Sequence, residues 1–522
     1  MQVQAYPSWP PSPAGSRQSM SIISTFLHLL LLALPIHGID VDLDNDGIKT
    51  PPPLWTPSNI SVVQEHPHPL TPHTRHQLDS VVMTARVLAE GVRHYYTGDR
   101  PGGIPGYLPP PYYWWEAGPM FGSLIDYWFY TGDSTYNNII IQAMLHQASE
   151  TQNFMPANQT RVEGNDDQCF WALAAMAAAE RRFTDPPPDQ PQWLTLVQGT
   201  FNSQAARWDM ETCGGGLKWQ IFRFNKGFNY KNTISNGCFF NIAARLATYT
   251  NNHTYAVWAE KTWEWVQRIG LITPDYYFLD GTDDLKNCSQ LNRNRWTYNA
   301  GIFMLGAAHM YQFKKRQLTS PLSPPSPSPL QTDQRQRDME TRLQNIINAL
   351  HIFIHKGSNV LYEPTCEAHN KCTTDQLSFK AYLARWMAAT MQICPFTTAR
   401  LLPILRASAA GAASACTIGT NGAQCSQKWN VGLFEGSAGL GQLMAALEVI
   451  QGLLVRRAPL PVSTKTNGTS KGEVGAGFIR GDLLQEIATR PITATEAKEL
   501  DHHQHHAGIY VAAATVPQHE EM

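Results

Sequence analysis

The stretch EGNDDQCFWALAAMAAAE, Glu163 to Glu180, sets two carboxyls side by side, Asp166 and Asp167, where a long apolar run begins. Acidic residues are common in the first turn of a helix, where unpaired amides favour negative charge, so a doubled cap is the simplest reading. The pair could also do chemistry. Adjacent side chains on a helix diverge by about 100°, yet at a helix mouth both can reach into one cavity. Two carboxylates a few ångströms apart cannot both ionise easily, so their pKa values split and one keeps a proton near neutral pH. An anion and an acid acting on one sugar linkage are what a retaining glycosidase needs, with its carboxyls about 5–5.5 Å apart. The neighbours favour this role. Asn165 and Gln168 flank the pair with amides suited to hydroxyl recognition, and Phe170 and Trp171 follow at once.

Other polar and aromatic groups fit a lined cavity. YYWWEAGPMF (Tyr112–Phe121) places four aromatics before Glu116 and a Gly-Pro break, although Glu116 also reads as a first-turn cap and the tryptophans as core. The chain holds 15 Trp and 19 Tyr, and flat rings are what sugar clefts set against the C–H faces of pyranoses. Most of these rings must nevertheless be core. Asp280 sits in LDGTDD, where a calcium loop lacks its remaining ligand positions. Lys380 and Arg385 stand five apart, share no clean helix face and read as salt-bridge partners. No GxSxG, HExxH, Walker A or strand–helix GxGxxG pattern is present, which argues against serine hydrolase, zincin and nucleotide chemistry. No metal or cofactor is expected.

The elements that must carry these groups are helices. Apolar residues recur at helical spacing over 77–96, 115–130, 135–150, 166–182, 191–207, 234–250, 254–269, 297–314, 335–355, 375–393, 397–415 and 436–455, with little strand-like alternation. YTGDSTY (Tyr130–Tyr136) and YTNNHTY (Tyr249–Tyr255) share the form Y-T-x-[DN]-x-T-Y between one helix and the next. Gly or Asn would end the first helix and Ser/Thr would cap the second. A tight hairpin used twice suggests repeated helical hairpins. Six of them close naturally into an all-α (α/α)6 toroid, with an open solenoid as the alternative. The division expected is 1–38 signal peptide, 39–74 poorly ordered, 75–457 the helical domain with a Pro/Ser-rich surface loop at 319–329, and 458–522 a disordered polar tail.

Composition bounds the setting. With a formal net charge of −2 and a pI near 6.8, nothing favours nucleic acid or an anionic membrane surface. Ile22 to Leu34 is an apolar run too short to span a bilayer and reads as the core of a signal peptide cleaved near Gly38. N-x-[ST] sequons at Asn59, Asn158, Asn252, Asn287 and Asn467 agree with secretion. The nine cysteines include no CxxC pair; Cys366 with Cys372, and Cys416 with Cys425, are close enough to close small disulfide loops. The odd count leaves at least one thiol free. The C-terminal DHHQHH cluster carries metal-binding residue types in what reads as a solvated tail.

Taken in order, PYYWWEAGPMFGSLIDYWFYTGD, EGNDDQCFWALAAMAAAE, CGGGLKWQ, YKNTISNGCFFNIAARLATYT, CEAHNKCTTDQLSFKAYLARW and FEGSAGLGQLMAALEV resemble glycoside hydrolase family 76, the fungal and bacterial endo-1,6-α-mannosidases. The resemblance covers roughly Ile39 to Ile450 and is nearest to the fungal cell-wall branch. It implies an (α/α)6 barrel with a cleft for α-1,6-linked mannose in mannan or in mannose-containing glycans. It also implies retention, with Asp166 the nucleophile, Asp167 the general acid/base, and water or a sugar hydroxyl resolving the mannosyl-enzyme. Trp114, Trp115, Trp171 and Trp219 are the aromatic candidates for the cleft, beside Asn165, Gln168 and Asp280. The fungal branch is often GPI-anchored, but GIYVAAATV followed by PQHEEM departs from the hydrophobic tail of about 10–20 residues that such a signal needs. Membrane association through an anchor is therefore the less favoured expectation. A different glycan on the same fold, or a catalytically silent glycan-binding wall protein, are the competing readings.

Overall fold

Every residue of Asn165–Glu180 is buried, which no surface helix with one apolar stripe could be. Leu440–Gln451 is buried throughout as well, and Thr233–Thr250 everywhere but at its last residue. His253–Ile269 behaves differently, burying only a stripe that includes Tyr255, Ala259, Trp263 and Val266. Two kinds of helix imply two rings. The computed structural model describes residues 72–319, 329–419 and 422–478, and these hold twelve α-helices. They are α1 (Pro72–His94), α2 (Trp114–Thr131), α3 (Asn137–His146), α4 (Asn165–Glu180), α5 (Trp193–Ala206) and α6 (Thr233–Thr250). Then follow α7 (His253–Ile269), α8 (Thr297–Thr319), α9 (Pro329–Ala349), α10 (Phe379–Ile393), α11 (Thr398–Ser414) and α12 (Leu440–Gln451).

Helices α2, α4, α6, α8, α10 and α12 each pack on the next, and α12 returns to α2, so the inner ring closes. The odd-numbered helices lie outside it. The fold is the (α/α)6 toroid, and closure removes the solenoid alternative. The inner ring is tight because small residues let backbones approach. A Cβ on Gly118 of α2 would stand 3.0 Å from Trp171 Cα of α4, and one on Gly301 of α8 would stand 3.1 Å from Leu383 Cα of α10.

The repeated hairpin is present twice, with one change from the expected capping. Gly132 (φ 77°) and Asn251 (φ 57°) end α2 and α6 in the left-handed region. Thr131 and Thr250 both bond back to the carbonyl four residues earlier. The bonds, however, go to Asp133 and Asn252, which accept the N–H of Thr135 and Thr254 at 3.0 and 2.9 Å; Asn252 caps α7, whereas α3 starts beyond Tyr136 without a side-chain cap. Short carboxyl and amide side chains reach the amide two residues on, and the Ser/Thr between them is not needed.

Three short strands, β1 (Tyr230–Asn232), β2 (Gly281–Asp283) and β3 (Leu291–Asn292), form an antiparallel sheet beside the start of α6. A hairpin of β4 (Cys416–Gly419) and β5 (Gly422–Cys425) carries the Cys416–Cys425 disulfide. Cys366–Cys372 is also closed, and Cys213–Cys288 ties the loop before β1 to the segment after β2. Cys169, Cys238 and Cys394 remain buried thiols.

The boundary at 457 needs correction. Residues 458–478 are laid against the helices by backbone pairing, with Val462 N–H on Glu180 O at 2.7 Å and Gly477 N–H on Thr151 O at 2.7 Å. Ser470 Oγ accepts the Leu194 N–H at 2.9 Å. A polar segment needs no apolar periodicity to be held when helix ends offer it open donors and acceptors. Likewise α1 begins at Pro72, inside the stretch expected to be poorly ordered. The signal-peptide run, residues 39–71, the centre of the Pro/Ser insert and the histidine cluster lie outside the described residues. No helix among the described residues is long and apolar enough to cross a membrane.

Candidate active site

The inner helices present their N-terminal ends to one cleft with about 640 Å³ of empty space open to solvent. Its lining comes from the starts of α2 (Tyr113, Trp115), α4 (Asp166, Asp167, Phe170), α8 (Tyr298) and α10 (Asp375, Phe379). Trp219, Tyr230, Asn232 and Asp280 come from the loop and sheet that precede or flank α6. Among these lining residues none is Lys, Arg or His and four are carboxyls. The positive ends of the helix dipoles are what offset that charge.

Asp167 is the third residue of α4, and its Oδ2 accepts the Gly164 N–H at 2.6 Å. It is thus a cap and a cleft residue at once. Asp166 Oδ2 accepts from Asn232 Nδ2 at 2.8 Å, and Oδ1 from the Asp167 N–H at 3.1 Å. Burial first, and then the Asp167 charge, hold the Asp166 carboxyl well above the usual carboxylate range, while the Asn232 and backbone donors pull it down. Charge on Asp167 thus disfavours ionisation of Asp166.

Asp280 faces them from the sheet. It accepts from Tyr230 OH at 2.5 Å, Trp296 Nε1 at 2.8 Å and Asn292 Nδ2 at 3.1 Å. Burial pushes it up to about 6 against the Tyr230 and Trp296 donors. Trp219 forms one rim, its ring lying over Gly227 (φ +93°), where a Cβ would stand 2.5 Å from the indole. The rim is pinned by Trp219 N–H on Tyr230 O at 2.7 Å and Asn165 N–H on Trp219 O at 2.8 Å. Opposite, Tyr298 and Phe379 stack with centroids 3.9 Å apart.

Of the expected site residues, Asp166, Asp167, Trp115, Trp219 and Asp280 line the cleft, and Trp114, Trp171, Asn165 and Gln168 do not. Trp171 is fully buried, stacked between Trp114 at 5.3 Å and Phe154 at 5.8 Å. Trp114 turns its Nε1 to Gln147 Oε1 at 2.8 Å. Asn165 accepts from Arg207 Nε at 2.8 Å, and Gln168 Oε1 takes an Nη2 donor of the same guanidinium. Helical geometry decides this: Phe170 lies one turn from the acids and shares their face, whereas Trp171 is rotated about 100° into the core. Lys380 and Arg385 act structurally, on Glu367 at 3.0 Å and Glu448 at 2.8 Å.

Sequence reasoning missed Asn232, Tyr230, Tyr298, Phe379 and, above all, Asp375. Asp375 accepts Trp115 Nε1 at 3.1 Å; burial pushes it up to about 7, the Trp115 donor opposes that, and Asp166 adds to it. The same signal that marked Asp166, an acid just ahead of an apolar helix, was present in CTTDQLSFKAYLARW.

The glycosyl hydrolase family 76 model matches residues 80–465. The chain belongs to that family. Family 76 relatives are close: mannan endo-1,6-alpha-mannosidase DCW1 of Saccharomyces cerevisiae is 43% identical over 401 residues, covering 76% of this chain and 84% of the relative. The Candida albicans mannosidase DFG5 is 40% identical, covering 76% and 84%. The crystal structure of Dfg5 from Chaetomium thermophilum in complex with glucosamine is 39% identical, with a TM-score of 0.71, and covers 78% of this chain and 98% of that one. An α-1,6-mannanase of Salegentibacter, solved with α-1,6-mannotetrose as a variant lacking two adjacent aspartates, is 16% identical with a TM-score of 0.55 over 72% of this chain and 99% of its own, which speaks to the fold. As a family 76 member the chain is a glycoside hydrolase.

Proposed function

We propose that this family 76 enzyme is a secreted mannan endo-1,6-α-mannosidase that cleaves or transfers α-1,6-mannosidic linkages with retention, in wall mannan or in the glycan of a GPI anchor. The observation that carries it is the adjacent pair Asp166–Asp167 in one cleft between aromatic walls, with Asn232 aimed at Asp166. A cleft lined by carboxyls and rings suits neutral or cationic sugars and repels anionic ones. The activities named for the relatives agree with this substrate class. Secretion is supported by the apolar N-terminal run, by closed disulfides and by exposed sequon asparagines at 252, 287 and 467.

In the reaction the Asp166 carboxylate attacks the anomeric carbon as Asp167 gives its proton to the departing glycosidic oxygen. A glycosyl–ester bond forms and the glycosidic bond breaks. Water or an acceptor hydroxyl, losing its proton to Asp167, then releases the sugar. Burial and the Asp167 charge favour a proton on Asp166, and Asp167 accepts the Gly164 N–H. The positive charge developing on the sugar beside Asp166 reverses that preference, and the Asn232 amide stabilises the anion that results. Trapping with an activated 2-fluoro-mannoside tests this: intact mass should show one glycosyl adduct, mapped to the peptide holding Asp166. No adduct together with an inverted product anomer sinks the retaining reading, and mannan binding without cleavage or transfer sinks the enzymatic one.

A further inference from the structure

Asp166 and Asp167 carry the reaction, and Asp280, ringed by Tyr230, Asn292 and Trp296, is set for hydroxyl binding. The remaining carboxyl in the cleft, Asp375, has neither task. It stands on the turn ahead of α10, fixed by Thr373 N–H on Gln376 Oε1 at 3.0 Å and by Ser378 Oγ on Asp375 O at 2.6 Å. Its side chain keeps part of its surface open to the cleft while lying deep among protein atoms. The titratable groups acting on it or feeling it are Tyr113 and Glu116 of α2, Asp166 of α4 and Tyr382 of α10.

We infer that Asp375 is a positioning residue of the reaction: it fixes the Trp115 indole as a wall of the cleft and supplies a negative charge facing Asp166 that holds the last proton on the acid pair. This rests on Asp166 and Asp167 being the reacting carboxyls. The sign follows from counting charges. The last proton to leave three coupled carboxyls leaves three negative charges behind; with Asn at 375 it leaves two, and departs more easily. Burial pushes Asp375 up to about 7, so the effect belongs on the alkaline limb of the pH profile. Below that pH Asp375 is neutral, as Asn is, and the acid limb stays.

The test is the pH dependence of kcat/KM on an α-1,6-mannan oligosaccharide for Asp375→Asn and Trp115→Phe beside the unaltered enzyme. Asp375→Asn keeps an oxygen for the indole N–H, so its KM at the optimum stays within about twofold while the alkaline limb moves acid-ward by about one pH unit. Trp115→Phe removes a donor that stabilises the Asp375 anion and moves the same limb the same way, by less. A folded Asp375→Asn enzyme with both limbs unmoved, or with no activity at any pH, overturns the proposal. Should that variant not fold, an unmoved alkaline limb in Trp115→Phe overturns it alone. Failure of the acid-pair reading shows separately, as activity kept by Asp166→Asn or Asp167→Asn, and takes this proposal with it.

Discussion

Helices α2 and α4 begin alike and end up with opposite duties. In each, an acid at the third helical position accepts the N–H of the residue before the helix: Glu116 Oε2 from Tyr113 at 2.9 Å, Asp167 Oδ2 from Gly164 at 2.6 Å. The second position differs. In α2 it is Trp115, which lines the cleft and leaves Glu116 only 1% exposed; in α4 it is Asp166, and Asp167 reaches the cleft beside it. The residue ahead differs too. A Cβ on Gly164 would stand 2.4 Å from Asp166 Oδ1 and 3.1 Å from Trp219 O, so glycine is what admits the second carboxyl and the rim. Capping makes an acid at a helix start common; a glycine before it and an acid beside it bring a pair of carboxyls into the cleft.

The sharpest way to break this contrast is to neutralise both starts. Asp166→Asn and Asp167→Asn should each lower kcat on α-1,6-mannan by about 10²–10⁴-fold, the worth of a positioned acid or base. Glu116→Gln retains an oxygen for the Tyr113 N–H and should hold kcat within about tenfold. Steady-state kinetics on the three folded variants decide it, and equal losses at all three would mean that α2 takes part in the reaction.

The rings give the next largest effect. Trp171→Ala should cost about 3–5 kcal/mol of stability by emptying the Trp114–Phe154 stack, read as a fall in denaturation midpoint, with KM of the surviving enzyme little changed. Trp115→Ala should instead raise KM by about tenfold with a smaller loss of stability, since its face is open to the cleft. A Trp171 variant that is stable but binds mannan poorly would reverse the assignment of faces.

How much of this was legible beforehand follows from the physics each residue obeys. Helical periodicity is local, so all twelve helices fell near their expected places, and Tyr130–Tyr136 and Tyr249–Tyr255 were recognisable as hairpins. The cleft gathers residues from helix starts far apart in the chain, and no local signal says that Asp375 meets Trp115 across 260 positions. Asn232 went unmarked because it does a cap's ordinary work, accepting the Ser235 N–H at 3.2 Å, while its amide nitrogen serves Asp166 from far along the chain. Trp114 and Trp171 were misplaced because an aromatic next to an acid looks the same in sequence whichever side of the helix it faces. Segment 458–478 was invisible for another reason: it is held mainly through its own backbone, by Glu180 O, Thr151 O and the Thr195 and Asn202 side chains, and such bonds leave no pattern in its own side-chain types.

The smallest effect tests whether the two helix starts are electrostatically the same. Burial, joined by the Asp375 charge, holds the Glu116 carboxyl well above its ordinary range, against the Tyr113 N–H. A carboxyl whose folded pKa lies above its unfolded value contributes its stability below the unfolded pKa and loses it as pH rises through the folded one. Gln at 116 has no proton to lose. Glu116→Gln should therefore match the unaltered protein near pH 4.5 and exceed it near pH 8, by about 2 °C in Tm on a chain of this size. Asp166 is raised by the same kind of burial and by Asp167, so Asp166→Asn should gain stability over the same pH window. Thermal unfolding of both variants across pH 4.5–8 checks the pair. Gains at both sites mean that the two starts bear one electrostatic cost; a gain at neither would show both acids ionised in the fold.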